Sequence, residues 1–202
     1  MVDMLVIGIA GKKRSGKDTL ADFAMRRLSD EGINTAKHHF ADALKEECSI
    51  MLTEQFGYMS DRRTCERAAM FLEEMNADET KEKYRPLLQF WGTEFKRGMV
   101  KDSYWIDKMR EILIKDEAIG IDVVFIPDMR FPNEADMVKE LGGYIVRIQR
   151  PGLEDGDGHA SEQALNNYQG WDSEILNDTN LTVLDYKTGI LLGTIAWLDR
   201  AK

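Results

Sequence analysis

Residues 11–19 of the chain, GKKRSGKDT, have the residue types and spacing of a loop that binds phosphate. Gly11 and Gly16 allow backbone N–H groups to face phosphate oxygens, and Lys17 can reach the outer phosphates of a bound nucleotide. A strand pattern precedes the loop and a helical pattern follows it, so the N-terminus of a helix would point at the anion. Motif and context together favour a phosphate-binding loop over a chance match in a turn rich in glycine and lysine.

Asp18 departs from the usual loop, in which a serine or threonine follows the lysine directly. A carboxylate is a hard oxygen ligand that can hold Mg²⁺ directly or through water, and Thr19 can still donate a hydrogen bond to phosphate. An acidic residue is also favourable in the first turn of any helix. Both interpretations of Asp18 remain open at this point.

A second polar pattern lies in residues 85–97, which we predict to be a helix opened by Pro86. At about 100° per residue, one face of this helix consists of Arg85, Gln89, Thr93 and Arg97. Arginine binds phosphate through its planar fork, and a buried amide can hydrogen-bond the edge of a base. An ordinary solvated helix face would show the same spacing, so spacing alone does not decide between the two.

Asp128 and Arg130 lie at the end of the clearest strand pattern of the chain, residues 122–128. In parallel sheets, ligands bind at the carboxyl ends of the strands. An aspartate at such an end suits Mg²⁺ or an ordering hydrogen bond, and an arginine suits a phosphoryl group during transfer. The alternative is a surface ion pair between the two side chains.

The composition limits the classes of partner. The chain has 202 residues and a net charge of −9, which disfavours binding of DNA or RNA through the overall field. Cys48 and Cys65 match no metal spacing, which favours a reduced, cytoplasmic protein. His38, His39 and His159 lack metal partners at ligand spacing, so we interpret them as structural. We expect neither a signal peptide nor a membrane-spanning segment.

Strand and helix patterns alternate along most of the chain. Short apolar runs predict strands at residues 4–10, 35–40, 122–128 and 144–150, and a last short strand at 173–178. Helical patterns lie between these strands, and a long helical stretch follows the second strand. Such alternation predicts an α/β fold in which helices cover both faces of a parallel sheet.

Several segments, in order, resemble the deoxynucleoside monophosphate kinases of tailed bacteriophages, a branch of the P-loop kinases. The matching segments are GKKRSGKDT, FADALKE, LLQFWGTEFKR, DSYWIDK, VVFIPDMRFPNE, LGGYIVRIQRPG, HASEQAL and ILND. They extend from about residue 5 to residue 180, and aspartate in the hydroxyl position is typical of that family. Phosphomevalonate kinases look similar in the loop. Residues 57–83 and the extreme C-terminus match least.

The resemblance implies a single three-layer α/β/α P-loop domain over residues 1–202, with a core of about 1–40 and 118–202. A helical insertion of about 41–117 would bind the acceptor, and a lid would lie at about 150–170. The implied activity is ATP- and Mg²⁺-dependent phosphorylation of deoxynucleoside monophosphates to diphosphates for DNA precursor synthesis, in the cytoplasm of an infected host. The implied partners are these two nucleotides, without a nucleic-acid polymer or a membrane, and a homodimer would be compatible with the sequence.

The resemblance also implies roles for individual residues, by match of position. ATP would be bound by Gly11, Lys12, Lys13, Arg14, Ser15, Gly16, Lys17, Asp18, Thr19 and Arg150. The acceptor would be bound by Asp42, Lys45, Arg85, Gln89, Thr93, Trp105 and Glu134. Among these, Lys45 and Arg85 would hold its phosphate, Gln89 and Thr93 would read its base, and Trp105 would stack on the base or wall it. Phosphoryl transfer would depend on Lys17, Asp128 and Arg130, and Mg²⁺ would be held by Asp18 and Asp128.

Other classes of protein share such a loop. Kinases that act on phosphomevalonate or dephospho-CoA need no base reader, so the combination of Gln89, Thr93 and Trp105 disfavours them. A GTPase-like switch would normally carry an Asn-Lys-x-Asp motif that reads guanine, which the sequence does not contain. A nucleotide-binding protein without turnover is the remaining alternative.

Overall fold

A computed structural model describes residues 4–54, 62–153 and 160–199. The chain divides into two compact units. The first unit comprises Met1–His39 and Arg110–Lys202, and the second comprises Phe40–Met109. Within the described ranges, no helix combines the length and the apolar character that crossing a membrane requires.

The first unit is built on a parallel sheet of five strands. The strands are β1 (Leu5–Ala10), β2 (Thr35–Lys37), β3 (Val123–Met129), β4 (Tyr144–Gln149) and β5 (Ser173–Leu176). Their order in the sheet is β2-β3-β1-β4-β5. The three central strands are mostly buried and rich in apolar residues, as expected for strands that are covered on both faces.

Helices cover both faces of this sheet. The helices used below are α1 (Lys17–Asp30), α6 (Pro132–Glu140), α7 (Ala160–Gln163) and α8 (Leu181–Asp199). Leu20 of α1 and Leu184 of α8 share a buried cluster with Ile9 of β1. Side chains alternate across a strand, so Gly8 faces the other side, where a Cβ atom on it would lie 3.2 Å from Val138 of α6. The predicted three-layer α/β/α architecture is therefore confirmed.

The carboxyl ends of the central strands lie side by side. Ala10, the last residue of β1, is paired with Met129 of β3 and with Arg147 of β4. The register between β1 and β3 shifts between Gly8 and Ala10, just before the glycine-rich loop. The segments that follow these strands therefore leave the sheet at one edge, which is the edge where parallel sheets bind ligands.

The second unit is helical. It contains α2 (Phe40–Glu54), α3 (Arg62–Asn76), α4 (Lys81–Gln89), a π-helix (Phe90–Val100) and the first turns of α5 (Tyr104–Ala118). The unit ends at Met109, inside α5. The binding of an acceptor by this part of the chain remains a prediction.

The prediction that Pro86 opens a helix is wrong. α4 already begins at Lys81, so Pro86 lies inside the helix, where its ring removes one backbone hydrogen bond. The predicted single helix over residues 85–97 is also divided, because the chain becomes a π-helix at Phe90. There the hydrogen bonds reach the fifth residue back, as from the N–H of Lys101 to the carbonyl of Lys96 at 2.9 Å.

The start of α6 is a hydrogen-bonded turn around Glu134. The side chain of Glu134 is buried, and its Oε2 accepts hydrogen bonds from the backbone N–H groups of Arg130 at 2.7 Å and Phe131 at 3.1 Å. Pro132 occupies the first helical position, where the fixed φ of proline suits a helix start. Glu134 therefore satisfies two backbone donors and fixes the backbone of Arg130.

We expect Glu134→Ala to lower the free energy of unfolding by about 1–3 kcal/mol, because two backbone N–H groups lose their acceptor. Glu134→Gln keeps one acceptor oxygen and should cost less. The matched control is Glu140→Ala at the other end of α6, since Glu140 is exposed and pairs with Arg110 at the surface, where such pairs contribute about 0–1 kcal/mol. Chemical denaturation gives the three values, and equal losses for Glu134→Ala and Glu140→Ala would contradict a supporting role of Glu134.

Candidate functional site

The loop of residues 11–19 joins β1 to α1 and passes through the left-handed backbone region twice. Gly16 has a φ of 101° and Arg14 has a φ of 63°. Across residues 4–54, 62–153 and 160–199, Arg14 is the one non-glycine residue with a positive φ. This conformation costs an ordinary residue about 1–2 kcal/mol, and strain of this kind concentrates where ligands bind. The surroundings of the loop must therefore hold its shape.

Both glycines of the loop lie against neighbouring backbone or buried side chains. A Cβ atom on Gly11 would lie 2.4 Å from the carbonyl oxygen of Ile148 in β4 and 2.6 Å from the Oγ of Ser15. A Cβ atom on Gly16 would lie 2.7 Å from the Nδ2 of Asn177, just after β5. Any larger residue at either position would therefore push the loop away from the sheet.

Lys17 lies at the first position of α1, and its side chain folds back along the loop. Its Nζ donates hydrogen bonds to the carbonyl oxygens of Gly11 and Lys12, both at 2.8 Å. The residue is only 9% exposed. The ammonium group is thus held beside the N-terminus of α1, where two sources of positive potential coincide.

Asp18 has a histidine partner that the sequence analysis did not identify. The Nε2 of His39 lies 2.7 Å from the Oδ1 of Asp18. This hydrogen bond is the main cause that lowers the pKa of Asp18; burial opposes it, and the charges of His39, Lys37 and Lys17 lower the pKa further. His39 follows β2 at the same edge of the sheet. Asp18 is therefore an ionised carboxylate whose orientation His39 restrains.

His38 has a different partner from its neighbour. Its Nε2 lies 2.6 Å from the Oδ2 of Asp116 in α5, and the two side chains are largely buried. This contact fits the structural role that we predicted for His38. His159 lies outside the described residues.

Asp128 and Arg130 lie where the sequence placed them, at the carboxyl end of β3. Asp128 is half-buried within the strand, and Arg130 is half-buried just after it. Glu134 differs from its predicted role in acceptor binding, because it is 2% exposed and accepts the two backbone hydrogen bonds described above. It supports the turn that carries Arg130 and has almost no surface that a substrate could touch.

A cavity of about 220 Å³ opens at this edge of the sheet within the first unit. Its cationic lining residues are Lys12, Arg130, Arg147 and Arg150. Parts of the predicted lid, including Ser161 and Asn166, line it as well. The residues described around this cavity include no acidic one, so its electrostatic character suits an anion. Residues 154–159 of the predicted lid lie outside the described part of the chain.

Arg147 and Trp171 were missed by the sequence analysis. The guanidinium of Arg147 lies over the ring of Trp171, 5.8 Å from its centroid. The buried indole N–H of Trp171 has no hydrogen-bond partner within the described residues. A charged residue in the middle of the buried strand YIVRIQ was the signal that could have revealed Arg147.

The remaining predicted acceptor residues belong to the second unit. Lys45 in α2 donates to the Oδ1 of Asn76 at 2.7 Å, and Asp42 is exposed in the first turn of α2. Arg85 in α4 lies 3.8 Å from Glu82. Gln89 ends α4, and Thr93 lies in the π-helix; both are half-buried. Their roles remain predictions.

Arg97 and Trp105 of this unit are more buried than their predicted roles require. Arg97 is only 8% exposed and donates to the carbonyl of Asp102 at 3.1 Å, so it does not belong to an exposed polar face. Trp105 is 3% exposed, and its indole N–H donates to the carbonyl of Gly92 at 2.9 Å. Trp105 therefore has almost no ring surface for stacking on a base and packs inside the unit instead.

A polar cluster in the second unit, formed by Glu47, Lys96 and Tyr104, was also missed. Lys96 lies 2.8 Å from Glu47 and donates to the hydroxyl of Tyr104 at 3.0 Å, and this hydroxyl donates to Glu47 in turn. Burial disfavours the charge of Glu47, but the hydrogen bonds from Lys96 and Tyr104 outweigh it and keep its pKa below the ordinary value. The cluster links α2, the π-helix and α5 within this unit.

Comparison with known proteins identifies similar structures and sequences. Among solved structures, the dephospho-CoA kinase of Campylobacter jejuni superposes with a TM-score of 0.45 at 12% identity, over 96% of this chain and 98% of that one. In sequence, the chain is 30% identical over 206 residues to a protein of Acanthamoeba polyphaga mimivirus that is assigned as a deoxynucleotide monophosphate kinase. This alignment covers 93% of this chain and 95% of the relative. It is 24% identical over 231 residues to the deoxynucleotide monophosphate kinase of Enterobacteria phage T4, over 90% and 95% of the two chains. Residues 34–188 match the family described as deoxynucleotide monophosphate kinase, and the chain therefore belongs to this family.

Proposed function

We propose that this enzyme transfers the γ phosphoryl group of ATP to deoxynucleoside monophosphates and forms the diphosphates. The observation that carries the proposal is the loop of residues 11–19, with Lys17 held at the N-terminus of α1. This loop lies outside residues 34–188, which match the family. Loop geometry and family membership are thus separate lines of support for a nucleoside monophosphate kinase.

The acceptor needs charge neutralisation more than it needs a general base. A phosphate monoester has a second pKa of about 6, so it is already mostly dianionic at pH 7. The difficulty is to bring two anions together and to align the attacking oxygen with the γ phosphorus. Lys17 would stabilise the transferred group from the loop. Lys12, Arg130 and Arg150 line the cavity beside the loop and would lower the repulsion.

Asp18 and Asp128 fit a role as Mg²⁺ ligands beside the phosphates of ATP. Mg²⁺ usually takes one or two protein carboxylates and completes its shell with phosphate oxygens and water. The lowered pKa of Asp18 keeps it ionised near neutral pH, which such a ligand requires. When bound, Mg²⁺ would neutralise charge on the phosphates. His39 would restrain the carboxylate of Asp18, and the hydroxyl of Thr19 would remain for a phosphate oxygen.

Residues of the second unit would bind the acceptor. We propose that Lys45 and Arg85 hold its phosphate and that Gln89 and Thr93 read its base. Arg85, Gln89 and Thr93 recur at intervals of four residues, and each is half-buried. A pocket that hydrogen-bonds one base leaves buried groups unpaired when another base enters, which is a strong basis for selectivity.

The predicted lid, residues 150–170, would have a different role. Its closure over the reacting groups would exclude water and favour transfer to the acceptor over hydrolysis of ATP.

The test is formation of ADP from ATP with a panel of deoxynucleoside monophosphates as acceptors and with phosphomevalonate and dephospho-CoA as controls. We expect at least one deoxynucleoside monophosphate to be phosphorylated and both controls to be inactive. Lys17→Ala should lower kcat by about 10²-fold or more, because it removes the charge that accompanies the γ phosphoryl group. Lys115→Ala, an exposed lysine of α5, is the matched control. Near-normal turnover of a folded Lys17→Ala protein would reject the proposed role of the loop.

Asp18→Ala separates a role in Mg²⁺ binding from a role in helix stability. If Asp18 binds the metal, the Mg²⁺ concentration for half-maximal rate should rise clearly in the variant. If it only supports the start of α1, the free energy of unfolding should fall by about 0.5–1 kcal/mol without a change in Mg²⁺ dependence. Asp22→Ala is the control, since Asp22 lies one turn later, is equally exposed and pairs with Lys37. We expect the first result, and the second would remove Asp18 from the metal site.

Gln89→Ala and Arg85→Ala should differ in their effect on selectivity. Gln89→Ala should change the ranking of deoxynucleoside monophosphates by kcat/KM and leave the affinity for ATP unchanged. Arg85→Ala should weaken all acceptors alike, because the phosphate is common to them. Steady-state kinetics over the same panel measures both effects. A uniform change, or none, in the Gln89→Ala protein would show that Gln89 does not read the base.

A further inference from the structure

We propose that Asn177 is a positioning residue that fixes the orientation of the phosphate-binding loop from the end of β5. Asn177 directly follows Leu176, the last residue of β5, and is only 8% exposed. No role in the reaction follows for it from the loop motif, because it lies far from residues 11–19 in sequence. The inference rests on the proposed function to the extent that this loop binds the phosphates of ATP.

The side chain of Asn177 is bonded to the loop itself. Its Nδ2 donates a hydrogen bond to the carbonyl oxygen of Ser15 at 2.9 Å, and this bond is buried. A Cβ atom on Gly16 would lie 2.7 Å from the same Nδ2. Asn177 is therefore in direct contact with the peptide group that joins Ser15 to Gly16.

That contact sets the direction of a potential phosphate donor. In a trans peptide group, the C=O and the following N–H lie in one plane and point in opposite directions. When Asn177 holds the carbonyl of Ser15 on its own side, the N–H of Gly16 is turned to the other side of the loop. Backbone N–H groups of such loops are the donors that surround phosphate. Asn177 thus determines where one of these donors points without touching the ligand.

Asn177 is itself well fixed. Its backbone N–H donates to the carbonyl of Gln149 in β4 at 2.7 Å. The turn that follows is closed by Asn180, whose Oδ1 accepts the N–H of Val183 at 3.1 Å at the start of α8. Lys187 of α8 pairs with Asp178 in the same turn at 3.0 Å. Bonds on both sides of Asn177 therefore restrain its backbone, and its side chain transmits that restraint to the loop.

Replacement of the amide should disturb the loop in a predictable way. Asn177→Asp keeps the shape of the side chain but removes the NH₂ donor, so a carboxylate oxygen would face the carbonyl oxygen of Ser15. Asn177→Ala removes the donor without adding charge and leaves a buried carbonyl without its partner. In both variants the Ser15–Gly16 peptide group loses its preference for one orientation. Nucleotide binding should therefore suffer, whereas acceptor binding should not.

The experiment compares the wild-type protein with Asn177→Asp and Asn177→Ala in two measurements. Calorimetric titration with a non-hydrolysable ATP analogue gives Kd, and kinetics with the preferred acceptor gives the KM values for ATP and for the acceptor. We expect Kd and the KM for ATP to rise at least about fivefold, as for loss of one buried hydrogen bond, with more loss for Asn177→Asp. The KM for the acceptor should stay within about twofold.

The matched control is Asn34→Asp. Asn34 also donates from its side chain to a backbone carbonyl, that of Gly120 at 3.2 Å, but it precedes β2 at the opposite edge of the sheet. This control should leave Kd for the ATP analogue unchanged. If Asn177→Asp does not fold at the assay temperature, Asn177→Ala decides by the same criteria.

Two results would overturn the inference. One is unchanged Kd in a folded Asn177 variant, and the other is an equal rise of the KM values for ATP and acceptor, as a general loss of structure would give. Failure of the proposed function is distinguishable from both. In that case the wild-type protein would bind the ATP analogue without phosphorylating any acceptor, and the Kd comparison would still test Asn177.

Discussion

The site depends on the requirement that buried backbone groups find hydrogen-bond partners. The loop after β1 is not a regular element, so backbone N–H groups of the chain satisfy only some of its carbonyls, such as that of Lys12, which accepts the N–H of Ser15 at 3.1 Å. Lys17 binds two of them, and Asn177 binds a third from the far end of the sheet. Across the sheet edge, Glu134 does the same for two N–H groups around Arg130. Each bond serves the fold and, at the same time, orients a group that faces the site.

The carboxyl-end edge of the sheet also allows a chain with net negative charge to bind an anionic nucleotide. A chain with a net charge of −9 repels nucleotides at long range, so binding must come from charge that is concentrated locally. The paired ends of β1, β3 and β4 bring cationic residues together that are distant in sequence, among them Lys12, Arg130 and Arg147. Because this convergence is a property of the parallel sheet, the positive region exists even though the surface as a whole is acidic.

The sequence predicted the features that depend on local pattern. Apolar runs located the strands, and glycine spacing together with Lys17 located the loop. The sequence did not predict the features that depend on tertiary contacts. No local pattern indicates that Arg97 and Trp105 are buried, or that the helix becomes a π-helix at Phe90. The partners His39 and Asn177 were missed for the same reason, since each meets the loop only after β2 or β5 has joined the sheet.

Because Lys17 is bonded to its own loop, the free-energy cost of moving its charge out of water is incurred during folding and not during ligand binding. Lys17 is already largely buried, and two carbonyl oxygens accept hydrogen bonds from its ammonium group. Under the proposed function, a nucleotide that binds here would exchange these contacts for contacts with phosphate and would not have to dehydrate an exposed cation first. The desolvation of the charge is thus a term in the folding free energy of the protein. The affinity for nucleotide and the stability of the empty protein would then be coupled through this one side chain.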